Sequence, residues 1–336
     1  MKKSVLFLSA AVMLLAASCQ SFKKGDGGLE YNLVDDVAKE KATAGDFLSV
    51  DLTIRSDRKD ADGKDSLLNS TYDLNLPQIV NIMSDTIPGA YKGDYNSMFR
   101  MLGEGDSAVF KLNMDTMAAK TGQPKPEFAD KFVTFTVKVR KHFKKGQLTD
   151  SALYAQIDGY FKGELEGLKK AEEGKISKYI ADKKLEPKKT ASGLQYVVTE
   201  EGKGAKPVLG DTVVVNYTGM LTNGTVFDSS IKENVIKGKL QIDPMRTFEP
   251  IRFPIGVQPV IQGWTEGLYL FGKGTKATLI IPSSLAYGER PQGQKIPPYA
   301  PLIFDIELVD VIKGVPLTQA PAMPGMGAPT VTEPTN

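Results

Sequence analysis

The chain is short of reactive side chains. Its 336 residues include one cysteine, one histidine and one tryptophan. A single cysteine, Cys19, excludes an internal disulfide and any cysteine-based metal cluster. A single histidine, His142, excludes a multi-histidine metal site, and no Ser-His-Asp set can be assembled around it. It sits in "VRKHFKK" and reads as a surface residue at a strand end. An excess of either charge is also lacking, with 42 Lys+Arg against 40 Asp+Glu. Without a basic surplus there is no electrostatic case for a nucleic-acid partner. The one long apolar run, Val5 to Ala17, is too short to span a bilayer comfortably. Neither a metal nor a cofactor is expected.

What is present begins at that run. Lys2 and Lys3 precede it, and it ends at "LAASCQ", the pattern of a secretory leader. The ending resembles the bacterial lipobox, in which the cysteine becomes the lipidated first residue. It departs in one respect, since Leu15 stands four residues before Cys19 rather than three. Residues 1–18 therefore read as a lipoprotein signal peptide, and lipidated Cys19 as a membrane anchor. Diacylation supplies the two-chain attachment that stable anchoring requires. Residues 19–28, with "SFKKGDGG", read as a flexible tether.

Four further parts follow. Residues 29–145 and 190–315 look β-rich. In "GDTVVVNYTGML", Val213, Val215 and Tyr217 share one face. In "PLIFDIEL", Leu302, Phe304, Ile306 and Leu308 do the same. Period-two alternation of this kind predicts strands with one face on a core. "PVIQGWTEGLYL" predicts a short helix opened by Pro259.

Residues 146–189 form a helical linker, with Leu153, Ile157, Phe161, Leu165 and Leu168 at helical spacing. Thr149, Asp150 and Ser151 are candidate N-caps. Gly159, Gly163 and Gly167 repeat every four residues. They suit either a close helix–helix contact, as in a homodimer, or simply a soft helix. Residues 316–336, rich in Pro, Gly and Thr, are expected to be a disordered tail.

The two β-rich parts echo each other in order. "AGDFLSVDLT" (44–53) parallels "LGDTVVVNYT" (209–218). "MFRMLGEGDSAVFKL" (98–112) parallels "LYLFGKGTKATLII" (268–281), and "FVTFTVKV" (132–139) parallels "PLIFDIEL" (301–308). Ordered correspondence at nearly constant offset predicts duplication of one domain. The expected fold class is α+β: two domains, each a curved antiparallel sheet around a short helix, joined by an amphipathic helix.

"VNYTGMLTNGTVFDSS", "FPIGVQPVIQGWTEGL", "IPSSLAYGE" and "KIPPYAPLIFDIEL" resemble the FKBP-type peptidyl-prolyl cis–trans isomerases over residues 190–315. The lipobox and the leading helix resemble the macrophage infectivity potentiator type within that family. The resemblance implies a prolyl pocket whose floor is Trp264. It implies Tyr217, Asp228, Trp264 and Tyr287 as the catalytic set, with Asp228 accepting a hydrogen bond from Tyr217. It implies Phe227, Phe253, Val260, Ile261, Ile296 and Phe304 as substrate-binding residues. The expected activity is X–Pro isomerisation in unfolded or nascent envelope proteins, from a lipid-anchored position on the periplasmic or outer-membrane face. The family's macrolide inhibitors are expected ligands. A holdase or peptide-binding module with incidental activity is the alternative.

The first copy departs from the pattern. Leu52 stands for Tyr217, Leu68 and Asn69 for Phe227 and Asp228, and Tyr95 for Trp264. Residues 29–145 are therefore expected to be a degenerate, non-catalytic copy. In the second copy the segment between Asp228 and Phe253 is long. It reads as an added substrate contact, a lid or an inert insertion.

Overall fold

The computed structural model describes residues 21–60, 62–240, 242–243 and 245–314. The leader, lipidation and tail readings, Cys19 among them, lie outside the described residues. The chain divides between Gly159 and Tyr160 into two compact units.

Unit 1 runs β1 (Lys23–Lys24), β2 (Glu30–Asp35), β3 (Phe47–Lys59), β4 (Asp65–Ser70), α1 (Thr71–Leu74), β5 (Gln78–Asn81), α2 (Tyr95–Arg100), β6 (Ser107–Asn113), α3 (Met114–Thr121) and β7 (Phe132–Phe143). Helix α4 (Asp150–Lys183) follows. Unit 2 runs β8 (Lys188–Lys189), β9 (Gln195–Glu200), β10 (Thr212–Leu221), β11 (Val226–Ser229), α5 (Lys232–Lys237), β12 (Ile251–Pro254), α6 (Gln262–Leu270), β13 (Lys276–Ile281) and β14 (Leu302–Ile312).

Each unit is one seven-stranded antiparallel sheet, and the two sheets share a topology. The order β1-β2-β6-β7-β3-β4, with β5 also on β3, is repeated as β8-β9-β13-β14-β10-β11, with β12 also on β10. Even an irregularity recurs. The ladder shifts between Ser49 and Val50 in unit 1 and between Val214 and Val215 in unit 2, the same point of the repeat. A shared bulge re-aims the strand identically in both copies.

A buried aspartate precedes each long strand. Asp46 accepts from the N–H groups of Thr43 and Lys145 (2.8 Å each), as Asp211 does from those of Val208 (3.0 Å) and Gly314 (3.1 Å). In each case the carboxylate occupies backbone donors that the sheet leaves free.

Alternation sets the core. In unit 2, Val213, Val215, Leu279, Leu302, Phe304, Ile306 and Leu308 are buried together with Trp264 and Leu268 of α6. Gly263 and Gly267 explain how α6 lies so close. A Cβ at Gly263 would stand 2.4 Å from the Ile281 side chain, and one at Gly267 would stand 3.0 Å from that of Leu279. The glycines therefore face β13, and the tryptophan between them is held hard against the sheet. The helix starts at Gln262, after an Ile261 cap, rather than at Pro259.

Three expectations are corrected. The segment read as a flexible tether is ordered from Lys23, because Lys23 and Lys24 pair with Tyr31 and Glu30 on β2. His142 is not a surface residue. Its side chain is buried, with Nε2 2.9 Å from the Asp46 carboxylate. Each repeated aspartate has such a side-chain neighbour, His142 beside Asp46 and Lys313 beside Asp211 (Nζ 2.8 Å).

The stripe on α4 is also less regular than its spacing suggests. Leu153, Ile176 and Tyr179 are buried, while Ile157, Phe161, Leu165 and Leu168 are only half-buried. Thr149 caps the helix by accepting from the Ala152 N–H (3.2 Å). Near the other end, Ile176 and Tyr179 pack on Ile280 and Ile303, the outward residues of β13 and β14.

Nothing lies within 4 Å of a Cβ built on Gly159, Gly163, Gly167 or Gly174. Replacing all four with alanine is therefore expected to stabilise the protein, by ~0.8 kcal/mol at each site. Thermal melts would measure this. A lowered melting point, or loss of a dimer by light scattering, would mean that the glycine face is covered in solution.

Asp106 carries another prediction. This fully buried carboxylate accepts from Val37 and Ala38 N–H (2.8 Å each), from Gly103 N–H (2.7 Å) and from Lys41 Nζ (2.7 Å). Burial favours its neutral form, but Lys41 and the backbone donors outweigh burial and hold it below the usual carboxylate range. Asp106→Ala is expected to cost about 3 kcal/mol at pH 7, by denaturant unfolding. Because the folded pKa is depressed, the stabilisation is present above the unfolded value near ~4 and fades as pH falls through the lower folded value. The gap between wild type and variant should therefore narrow in acid. A gap independent of pH would refute this account.

Candidate active site

The concave face of unit 2 holds a cavity of about 480 Å³ lined by Tyr217, Phe227, Asp228, Ile251, Pro259, Val260, Ile261, Trp264, Tyr287, Ile296 and Phe304. Strands and helix contribute distinct parts. Tyr217 faces inward from β10 by the alternation that buries Val213 and Val215. Phe227 and Asp228 come from the neighbouring β11, and Phe304 from β14 on the other side of β10.

Trp264, the first large side chain of α6, forms the base. Its ring meets Tyr217 and Phe304 edge-on, each at 5.2 Å between centroids, and Phe227 meets Phe304 edge-on at 5.6 Å. This edge-to-face set fixes the rings without filling the space between them. The indole N–H is buried and has no partner among the described residues. Such an orphan donor costs free energy, and it is tolerated here beneath the cavity.

Gly219 makes the wall geometry possible. A Cβ there would stand 2.6 Å from the ring of Phe227 and 2.8 Å from that of Phe304.

The cup has one polar edge. The Tyr217 hydroxyl donates to Asp228 Oδ2 (2.5 Å), and the Ser229 N–H donates to Oδ1 (2.9 Å). Burial first, then the bond to Asp228, pushes the Tyr217 phenol well above its ordinary pKa. It therefore stays protonated and remains a donor. Burial, with the Asp228 charge, raises Tyr287 as well. Nothing in the cup is a poised nucleophile. Among the described residues there is also no group of three or more His, Cys, Asp or Glu that could hold a metal ion.

Nine of the ten residues proposed from sequence meet around this cavity. Phe253 does not. It is 2% exposed and lies beneath the cup, tilted against Trp264 at 6.1 Å. Ile251 pairs with Val215 and Phe253 with Val213. Phe253 is thus two residues, roughly 7 Å, further from Tyr217 along the same face, and Ile251 takes the lining position.

The repeat unit makes a useful contrast. Asn69 pairs with Ile54 as Asp228 pairs with Gly219. The Leu52 N–H donates to Thr71 Oγ1 (2.9 Å), as the Tyr217 N–H does to Ser230 Oγ (2.9 Å). Tyr95 meets Phe135 edge-on at 5.5 Å, where Trp264 meets Phe304. Unit 1 therefore keeps the frame of the cup, but isoleucine stands at the position that glycine leaves open, and leucine and asparagine replace the tyrosine hydroxyl and the carboxylate of the edge.

A profile of the FKBP-type peptidyl-prolyl cis-trans isomerase family matches residues 203–309. FK506-binding protein 2 of Candida glabrata is 42% identical over 131 residues, which cover 38% of this chain and 86% of that protein. The chain belongs to the FKBP-type peptidyl-prolyl cis-trans isomerase family. The probable isomerase FkpA of Neisseria meningitidis serogroup B is 47% identical over 124 residues, covering 37% of this chain and 40% of that protein. The outer membrane protein MIP of Legionella longbeachae is 39% identical over 171 residues, covering 50% and 66%. The chain spans 40% to 66% of the length of the first curated relatives it matches.

In this FKBP-type domain, sequence reasoning missed Ile251, Pro259 and Arg246. Ile251 was open to discovery, since it alternates with Phe253. Arg246 was not, because it stands 18 residues beyond its partner. Its guanidinium donates to Asp228 Oδ1 (2.6 Å) and to the Ser229 carbonyl (2.8 Å), and it stacks over Phe248. The long segment between β11 and β12 thus returns to the polar edge of the cup.

Proposed function

We propose that unit 2 isomerises X–Pro bonds in unfolded polypeptides. The observation that carries this reading is the apolar cup on Trp264 with its single Tyr217–Asp228 edge. Rotation about an X–Pro bond breaks no covalent bond; its ~18–20 kcal/mol barrier comes from amide resonance. The planar amide is more charge-separated than the twisted one. A water-poor aromatic cup therefore disfavours the planar form more. Walls complementary to the twisted form lower the barrier for both directions. The proline ring would sit on the indole, with Phe227 and Phe304 as walls. Tyr287 would direct its hydroxyl toward a peptide carbonyl, and the Ile261 N–H would bind another.

The leader and lipobox, with the similarity to an outer membrane protein of Legionella longbeachae, support an envelope location and nascent or unfolded envelope proteins as clients. The same cup suits macrolide ligands of the family. A protease-free assay, by exchange spectroscopy on a tetrapeptide with one X–Pro bond, tests the reading on the full chain. Rate acceleration is expected, with an added macrolide competing. Exchange no faster than in buffer would refute it.

A second role is favoured by one observation. Unit 1 keeps the frame, lacks the Tyr–Asp pair of the edge, and exposes Leu67, Tyr72, Met83 and Phe128. We propose that it holds unfolded clients for unit 2. Serine at all four positions should weaken suppression of client aggregation without changing tetrapeptide isomerisation. Unchanged suppression would count against it.

A further inference from the structure

The segment from Ser230 to Pro250 is anchored at both ends to the polar edge or its strand. Asn234 Nδ2 donates to Thr218 Oγ1 (2.8 Å), and Arg246 is bound to Asp228 and Ser229. Val235 is buried, which fixes α5 against the domain. Between and beside these anchors the segment leaves apolar side chains in water: Ile236 is 56% exposed, Ile242 37% and Met245 88%. Single exposed apolar residues are ordinary. Three on one anchored insertion are less so, and the most exposed directly precedes the anchor. The Cα of Met245 is ~3.8 Å from that of Arg246, whose guanidinium holds a carboxylate that lines the cup. Arg246 is itself bound first by Asp228, which keeps it firmly cationic.

We propose that this insertion extends the prolyl site, with Met245 receiving an apolar side chain of the substrate outside the X–Pro dipeptide. This rests on the isomerase reading of the cup. Continuity with the cup is the reason for choosing a substrate segment as the occupant. A chain seated on Trp264 must leave the cup past some part of its rim, and the Asp228 edge is where the insertion is tied. Methionine suits the task, because its unbranched, polarisable side chain adapts to differing partners. Arg246 acts as a positioning residue, holding the insertion to the edge. The substrate class is therefore unfolded chain with apolar residues flanking proline, several residues long, rather than any isolated X–Pro pair.

The test uses the full chain and three probes: a tetrapeptide with one X–Pro bond, a 20-residue peptide with that bond flanked by leucines, and its serine-flanked counterpart. The wild type should prefer the leucine peptide. Met245→Ser should lower kcat/KM on the leucine peptide about fivefold through KM, by lost apolar contact. It should leave the tetrapeptide and the serine peptide unchanged, and Met245→Leu should restore the preference. Because Met245 is almost fully exposed, the variant should fold, and its melting point would show this. Equal behaviour of Met245→Ser and wild type on the leucine peptide would overturn the inference while leaving the isomerase reading intact. A wild type inactive on all three probes would overturn both.

Discussion

Gly219→Ile is expected to reduce isomerase activity at least ~100-fold, or about 2.7 kcal/mol of transition-state stabilisation, while unit 2 stays folded. A Cβ at this position collides with the rings of Phe227 and Phe304. The rest of an isoleucine side chain would then enter the cup between them. Both walls must move, and a cup that fits a twisted imide loses that fit. The backbone should tolerate the change. β-Branched residues suit strands better than glycine, and overpacking costs ~1–3 kcal/mol. Unit 1 shows the outcome already, since Ile54 occupies the corresponding place in β3. Comparing kcat/KM with the melting point separates the two effects. Retention of activity within tenfold would mean that catalysis happens elsewhere. The reverse change, Ile54→Gly, should not create activity, because Leu52, Asn69 and Tyr95 remain.

Asp228→Val should lower kcat/KM by ~10–100-fold. The carboxylate accepts from Tyr217, Ser229 and Arg246. Removing it leaves the Tyr217 hydroxyl without its acceptor at the edge of an apolar cavity, and it unties the insertion. Hydrogen bonds to charged groups contribute ~1.5–3 kcal/mol each, which sets the range. The tetrapeptide assay at saturating and limiting substrate would show the loss. Activity within twofold of wild type would remove Asp228 from the mechanism.

Much of this could be read before any coordinates. The alternation of Val213, Val215 and Tyr217, and of Leu302, Phe304, Ile306 and Leu308, set two strands and their inward faces, because side chains on a strand point to opposite sides in turn. The ordered echoes between the two halves foretold a repeated fold, and the identical strand order bears it out. Trp264 between two glycines marked a helix that must approach a sheet.

Other features escaped because their cause lies far away in sequence. His142 looked like a surface residue until Asp46, 96 positions earlier, was placed beside it. Lys23 and Lys24 looked like a tether because a two-residue strand has no periodicity to detect. Phe253 and Ile251 share a face, and only the register of β12 on β10 decides which of them reaches the cup.

The amino-acid sequence by itself determined which side chains face inward, that the domain occurs twice, and that one copy carries an aromatic set around a lone tryptophan. Those are consequences of local period and composition, which every chain carries in its order of residues. Tertiary structure alone decided that Gly219 keeps the cup open, and that Arg246 brings a long insertion back to Asp228. Both depend on where strands and loops meet in space, and such contacts, made across many residues, leave no local pattern to read.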